Sequence, residues 1–272
     1  MISLDWKERL KKDTLDFYQR KLPQKDYDID IVYNAYPERI DNKIPQAVIT
    51  LVGKTLASKL AKNADQYVEF YDYILKHKGE YGYIMFAYLM AKAVKKNPDF
   101  FLPYLKKVLL GFQEQKALNF VIDKSLYPLL KKDALTYLDT LMDWIKEDNE
   151  LMNNALQKLL VKIIKYDNSY IEPIFRELEN NWLYATDSMK KLNIHFLKNV
   201  FKINPDFYLQ VYQNYQNTRN PVFSEILVGA ICCKAKVIDE MLANWSGSGN
   251  VKLKKLGQHG QKLIKHKKRI NQ

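Results

Sequence analysis

The residues able to do chemistry are few, and they are not spaced for the common reactions. The four histidines, His77, His195, His259 and His266, form no HExxH pair, and no two stand at convincing ligand spacing. His259 and His266 are seven residues apart but lie among lysines that would repel a cation. Neither a GxxxxGK[ST] nor a GxGxxG loop is present, which excludes nucleotide binding through those loops. The GSG at 247–249 reads as a linker turn. No G-x-S-x-G occurs, and Ser125 and Ser188 have no plausible histidine in local sequence. Cys232 and Cys233 are adjacent in ILVGAICCKAKVI, where a small buried hydrophobe is the default reading. Neighbouring cysteines make a strained disulfide and two thiols alone make no metal site, so the pair predicts a reducing compartment. No metal and no cofactor are expected.

Charge offers more. Lysine and arginine number 43 against 31 acidic residues, a formal net charge of +12. Only Arg9, Arg20, Arg39, Arg176, Arg219 and Arg269 are arginine, the fork-shaped residue that suits bidentate base contacts. The excess is therefore lysine, which suits phosphate neutralisation better than sequence reading. Residues 233–272 hold ten of the 43 basic residues against Asp239 and Glu240 alone. After SGSGN (246–250), Lys252, Lys254, Lys255, Lys262, Lys265, Lys267, Lys268 and Arg269 are expected to contact nucleic-acid phosphates or another anionic partner. Leu253, Leu256, Leu263 and Ile264 give only a thin apolar stripe, and Gly257 and Gly260 weaken a continuous helix, so this stretch is read as a basic tail whose deletion leaves folding intact.

Folded elements must position these groups. Hydrophobic content of 47% with 27% charged residues is that of a folded chain, and nine Gly and nine Pro are too few for a turn-rich all-β fold of this size. The amino terminus, MISLDWKERLKKD, lacks the apolar core of a signal peptide. No window approaches 18 uncharged apolar residues, so the expectation is a cytoplasmic protein without a membrane span. Asp65, Asp99, Asp133 and Asp167 are spaced 34 residues apart and Asp206 follows after 39. Each opens a run that begins polar and turns apolar, and NPDFFL (97–102) recurs as NPDFYL (204–209). At a helix start an aspartate accepts orphan N–H groups and meets the positive end of the dipole, so the five are expected to open equivalent helices. Helices are predicted over 4–21, 46–62, 65–76, 80–95, from about 99, and over 114–130, 134–146, 149–165, 169–180, 183–202, 206–216 and 221–243. In 149–165, Met152, Ala155, Leu156, Leu159, Leu160, Ile163 and Ile164 keep the helical apolar spacing without a break. Residues 24–45, with Asp26, Asp28, Asp30 and the Tyr33–Tyr36–Pro37 stretch, are read as a terminal cap.

A period of this length, two helices and two turns, resembles the HEAT and armadillo-like helical repeats over roughly residues 46–243. The tetratricopeptide repeats share the period of 34. Their pattern is met by Tyr81, Gly82 and Ala87 but fails in 114–130 and 149–165, which contain no glycine. The HEAT-like resemblance implies an all-α, right-handed superhelical array of antiparallel helix pairs with a period of 34–39 residues. It implies a cap at 1–45, an array at 46–245 and the basic tail at 246–272. Such arrays bind extended partners on a concave face. If the aspartate-led helices line it, Lys106, Lys107 and Arg176 belong there, with Tyr208, Tyr212 and Tyr215 as an aromatic strip; the alternative for the tyrosines is inter-helix packing. The charges of those helices are mixed, with Glu69, Asp72, Asp139, Asp143 and Glu179 among them, which favours a protein partner. The chain is similar in architecture alone to the HEAT-like alkylpurine DNA glycosylases, whose lesion site combines a carboxylate with tryptophans. On that resemblance the matching residues are Asp143, Trp144, Arg176 and Trp182. The expected function is macromolecular binding, of a protein or non-specifically of nucleic acid, with DNA repair of the glycosylase type as the alternative.

Overall fold

All five periodic aspartates stand at helix starts, but they do not all cap them. In the computed structural model, which describes residues 5–34 and 43–269, Asp99 and Asp206 lie in the first turns of α6 (Pro98–Leu110) and α13 (Pro205–Tyr215). The caps there are Asn97, which accepts from the Phe100 N–H at 3.3 Å, and Asn204, which accepts from the Phe207 N–H at 3.0 Å. Each is followed by proline at the first helical position, where a missing N–H costs nothing. Asp167 does cap, accepting from the Ser169 N–H at 2.9 Å to open a single 3-10 turn before α11 (Ile171–Glu179). Asp133 accepts from Thr136, N–H at 3.3 Å and hydroxyl at 2.6 Å, ahead of α9 (Leu138–Ile145). Asp65 sits in the 3-10 turn Ala64–Tyr67 that leads into α4 (Val68–His77).

The described residues are helical, with one isolated bridge between Lys234 and Arg269 and no strand among them. The chain divides after Lys132 into two compact units, inside the stretch read from sequence as one array. Leu4 of the expected first helix, Tyr36–Pro37 of the expected cap and the last three residues of the expected tail lie outside the described residues.

In the first unit α1 (Trp6–Arg20) packs on α3 (Gln46–Leu60), α3 on α5 (Gly79–Lys96), and α5 on α7 (Gln115–Ser125). Helices α4 and α6 also lie against α5, which explains its nearly all-apolar sequence: Gly82 through Ala87, Leu89, Met90, Ala93 and Val94 are all buried. A short α8 (Tyr127–Leu130) closes the unit against α5 and α7. The segment carrying α2 (Asp30–Asn34) is tied down by charge. Asp28 and Asp30 both hold the Lys78 ammonium at 2.8 Å, and Lys25 and Tyr27 reach Glu69.

The second unit keeps the same economy. Every second helix packs in succession, α10 (Glu150–Tyr166) on α12 (Asp187–Ile203), α12 on α14 (Pro221–Gly229) and α14 on α16 (Val251–Ile264). The intervening ones neighbour each other too, α9 with α11 and α13 with α15 (Lys236–Ser246). Leu156, Leu160 and Ile163 of α10 are at most 1% exposed, so the stripe read from sequence is the buried one.

Helix α16 corrects the reading of the carboxy terminus as a weakly helical tail. Leu253 and Ile264 are buried, and Gly257 and Gly260 are buried where α16 crosses α15. A Cβ on Gly257 would stand 2.5 Å from the Ser246 backbone nitrogen, and one on Gly260 2.4 Å from Leu242 Cδ2. The glycines permit the close approach that holds the helix in place, instead of weakening it. Deletion of 251–272 therefore removes packed core, not a free arm.

Candidate functional site

The expected site residues disperse. Asp143 is exposed on α9, 3.9 Å from the Lys146 ammonium, while Trp144 beside it is 2% exposed and belongs to the core. Trp182 is wholly buried, its indole N–H donating to Asn193 Oδ1 at 2.8 Å and its rings packed edge-on against Phe175 and Phe223. Arg176 is exposed and paired with Glu172 one turn before it. No open aromatic wall stands beside Asp143, because the amphipathic α9 turns Trp144 inward with Leu141 and Ile145. Lys106 and Lys107 lie on α6 of the first unit.

Tyr208 and Tyr212 correct the aromatic strip. Both are wholly buried, and only Tyr215 is partly exposed, its hydroxyl donating to Glu179. The Tyr212 hydroxyl donates to the Leu227 carbonyl at 2.7 Å and the Tyr208 hydroxyl to the Ala230 carbonyl at 2.9 Å. Tyr208 in turn accepts from the Cys232 N–H at 3.0 Å. The two rings therefore pin the turn after α14 to α13, a structural duty for groups that spacing alone placed on a surface.

That pinned turn positions a surface absent from the expectations. The Lys234 N–H donates to the Lys268 carbonyl at 2.9 Å, which fastens residues 265–269 beside Cys232–Lys234. On α10, Lys158 and Lys165 are exposed; on α12, Lys198 and Lys202 are exposed, with His195 half-buried between the two helices' lysines. Burial, then Lys202, Lys198, Lys158 and Lys165 in that order, hold the His195 imidazole below its ordinary value. Burial raises the Cys232 thiol against the opposing pull of Lys198, Lys267 and Lys202. Lys198 and Lys202 act on both groups, linking Lys158 and Lys165 on one side with Lys267 on the other into one positive patch. Burial pushes the Cys233 thiol up to about 11, so both cysteines stay protonated and neither is a ready nucleophile. Among the described residues, Lys158, Lys165, Lys198, Lys202 and Lys267 have no carboxylate within ion-pair distance.

Of the residues expected in the basic tail, Lys254, Lys255, Lys262, Lys265, Lys267 and Lys268 are exposed. Lys252 is engaged with Glu225 at 2.6 Å, and Arg269 stands 4.0 Å from Asp239. The signal for the α10 and α12 patch was present in the sequence: Lys158 and Lys165 are seven residues apart, as are His195 and Lys202, the spacing of one helix face. What the sequence could not show is that the two faces adjoin.

Other openings differ in kind. A groove of about 800 Å³ in the first unit is lined by Asp72, Glu80, Tyr83, Phe112, Glu114 and Lys116 among others. Two of its carboxylates are already engaged, Asp72 by the Tyr104 hydroxyl at 2.8 Å and Glu80 by Lys116 and Tyr83 at 3.2 Å. Among the described residues no group of three or more His, Cys, Asp or Glu could hold a metal ion, and no helix is long and apolar enough to cross a membrane. No protein family, curated protein or solved structure matches this chain.

Proposed function

We propose that this protein is a helical-repeat binding module, built from antiparallel helix pairs in the right-handed HEAT and armadillo manner, that holds nucleic acid by its phosphates without reading sequence. The observation that carries the reading is a set of exposed lysines in the second unit, Lys158, Lys165, Lys198, Lys202 and Lys267, with no carboxylate among the described residues within ion-pair distance, while Arg176, Lys190, Lys191 and Lys252 are paired. Lysine on a rigid helix neutralises phosphate as a point charge and lacks the fork that reads a base edge. The packing of every second helix on the next supports the repeat construction, since each pair buries its apolar face only against its neighbours. The DNA-repair alternative needs Asp143 with tryptophans open beside it. Trp144 and Trp182 are interior, so it has no aromatic wall to hold an extruded base.

The reading is tested by titrating labelled duplex, single-stranded DNA and RNA of unrelated sequences at two salt concentrations. Affinities that vary little with sequence and fall steeply with salt are expected. Absence of binding to all three at low salt would overturn it.

A further inference from the structure

We infer that the phosphate-binding surface of this protein is the α10 and α12 lysine face around His195, completed by Lys267 of the pinned carboxy-terminal segment, and not the outer surface of α16. The inference rests on the nucleic-acid reading above and assigns it a place.

Three features single out this face. First, it is convergent: Lys158, Lys165, Lys198, Lys202 and Lys267 come from three elements, with α10 packed on α12 and the carboxy-terminal segment bonded beside Cys232–Lys234. The α10 and α12 lysines act on His195, Lys267 acts on Cys232, and Lys198 and Lys202 act on both. Second, it is held rigid. The turn beside it is fixed by the Tyr208 and Tyr212 hydroxyls, and the segment bearing Lys267 by the Lys234 to Lys268 bond, so little ordering is left to do on binding. Third, its dimensions suit a backbone. Lys158 and Lys165 are about 10 Å apart along their helix and Lys198 and Lys202 about 6 Å, on neighbouring helices about 8–10 Å apart. A duplex presents one negative charge per about 1.7 Å of axis, so a patch of this size meets several phosphates at once.

The lysines of α16 are arranged otherwise. Lys254, Lys255 and Lys262 of α16, with Lys265 just past its end, share the exposed arc of a single helix, away from the side buried on α15, and Lys252 is neutralised by Glu225. An acidic peptide fits the α10 and α12 face less well than a nucleic acid does, because affinity for a peptide is concentrated in side-chain anchors and this face offers charge. A membrane surface would call for apolar insertion beside the charge. Of the exposed large side chains in this unit, Tyr166 adjoins Lys165 but is a single ring with a polar hydroxyl. Leu183 and Tyr184 precede the start of α12, at the opposite end of that helix from Lys198 and Lys202.

The experiment compares two variants of the full chain with equal loss of charge. One carries Lys158→Gln, Lys165→Gln, Lys198→Gln and Lys202→Gln; the other carries Lys254→Gln, Lys255→Gln, Lys262→Gln and Lys265→Gln. All eight positions are exposed, and circular dichroism melts check that each variant keeps its fold. The two halves of the first set, Lys158→Gln with Lys165→Gln and Lys198→Gln with Lys202→Gln, serve if the fourfold change disturbs folding. With a labelled duplex, the first variant should bind at least about tenfold more weakly at low salt, and its slope of log K against log salt should flatten by about 3–4, near 0.9 per lost contact. The α16 variant should lose less than about threefold. If the wild type binds but the α16 variant loses as much as the first, or the first binds like the wild type, the assignment falls while the nucleic-acid reading stands. If the wild type binds polyglutamate or phosphatidylserine vesicles as tightly as duplex, the face is a general anion surface and the assignment to nucleic acid is overturned. Failure of the wild type to bind any nucleic acid overturns both.

Discussion

Asn97 and Asp99 are two residues apart and act differently at the same helix start. Asn97 accepts the Phe100 N–H, so Asn97→Ala should cost about 0.5–2 kcal/mol. Asp99 acts through the helix dipole alone at the first turn, and Asp99→Ala should cost less, about 0.3–1 kcal/mol. Chemical denaturation of the two variants side by side checks the order, and a larger loss for Asp99 would refute it. His195 gives a pH prediction. Burial first, then the four lysines, holds its folded value below the ordinary 6.5. The unfolded chain therefore takes up the proton first as pH falls. The stability this group contributes is complete above about pH 7 and is lost as pH drops through the unfolded value toward the folded one. Between about pH 7.5 and about pH 5.5 the urea midpoint of the wild type should fall further than that of His195→Gln. Equal falls would show that the imidazole is not destabilised by protonation.

At the scale of elements, the packing of α16 on α15 makes two neighbouring glycines unequal. At Gly257 an added Cβ meets the Ser246 backbone nitrogen, which cannot move without unwinding the end of α15, so Gly257→Ala should destabilise by about 1–3 kcal/mol. At Gly260 the obstacle is a terminal methyl of Leu242, which can change rotamer, and the gain in helix propensity of about 0.5–1 kcal/mol offsets part of the strain. Thermal melts should rank Gly257→Ala below Gly260→Ala, and the reverse order would contradict the α15–α16 contact. Deep in the same unit Leu160 is 1% exposed on α10, and Leu160→Ala should cost about 2–5 kcal/mol, read as a shift in denaturant midpoint.

At the scale of the molecule, the net charge of +12 overstates what is available to a partner, because many lysines are spent on Asp and Glu within the fold. If five lysines engage phosphates, log K for duplex should fall against log salt with a slope of about −4 to −5. A slope near −1 would mean that the positive face is not the one in contact.

The sequence by itself determined the local elements. The recurring aspartates, four at a spacing of 34 residues and a fifth after 39, located five helix starts, because capping and proline chemistry act within a few residues of the chain. The unbroken spacing from Met152 to Ile164 identified a buried stripe, because helical periodicity is a local property. What only the tertiary structure decided was the environment of residues that local pattern leaves ambiguous. Tyr208, Tyr212, Trp144 and Trp182 are amphipathic side chains that suit a surface or a core, and the neighbours that bury them are distant in sequence: Tyr208 meets Ala230, and Trp182 meets Phe223. The two glycines of α16 read as weakness until α15 was placed against them. Lys158 and Lys198 lie forty residues apart, on helices whose spacing each announced a face. Their union in one positive surface depends on α10 packing beside α12, and that is a consequence of burying apolar stripes, not of any pattern in the lysines themselves.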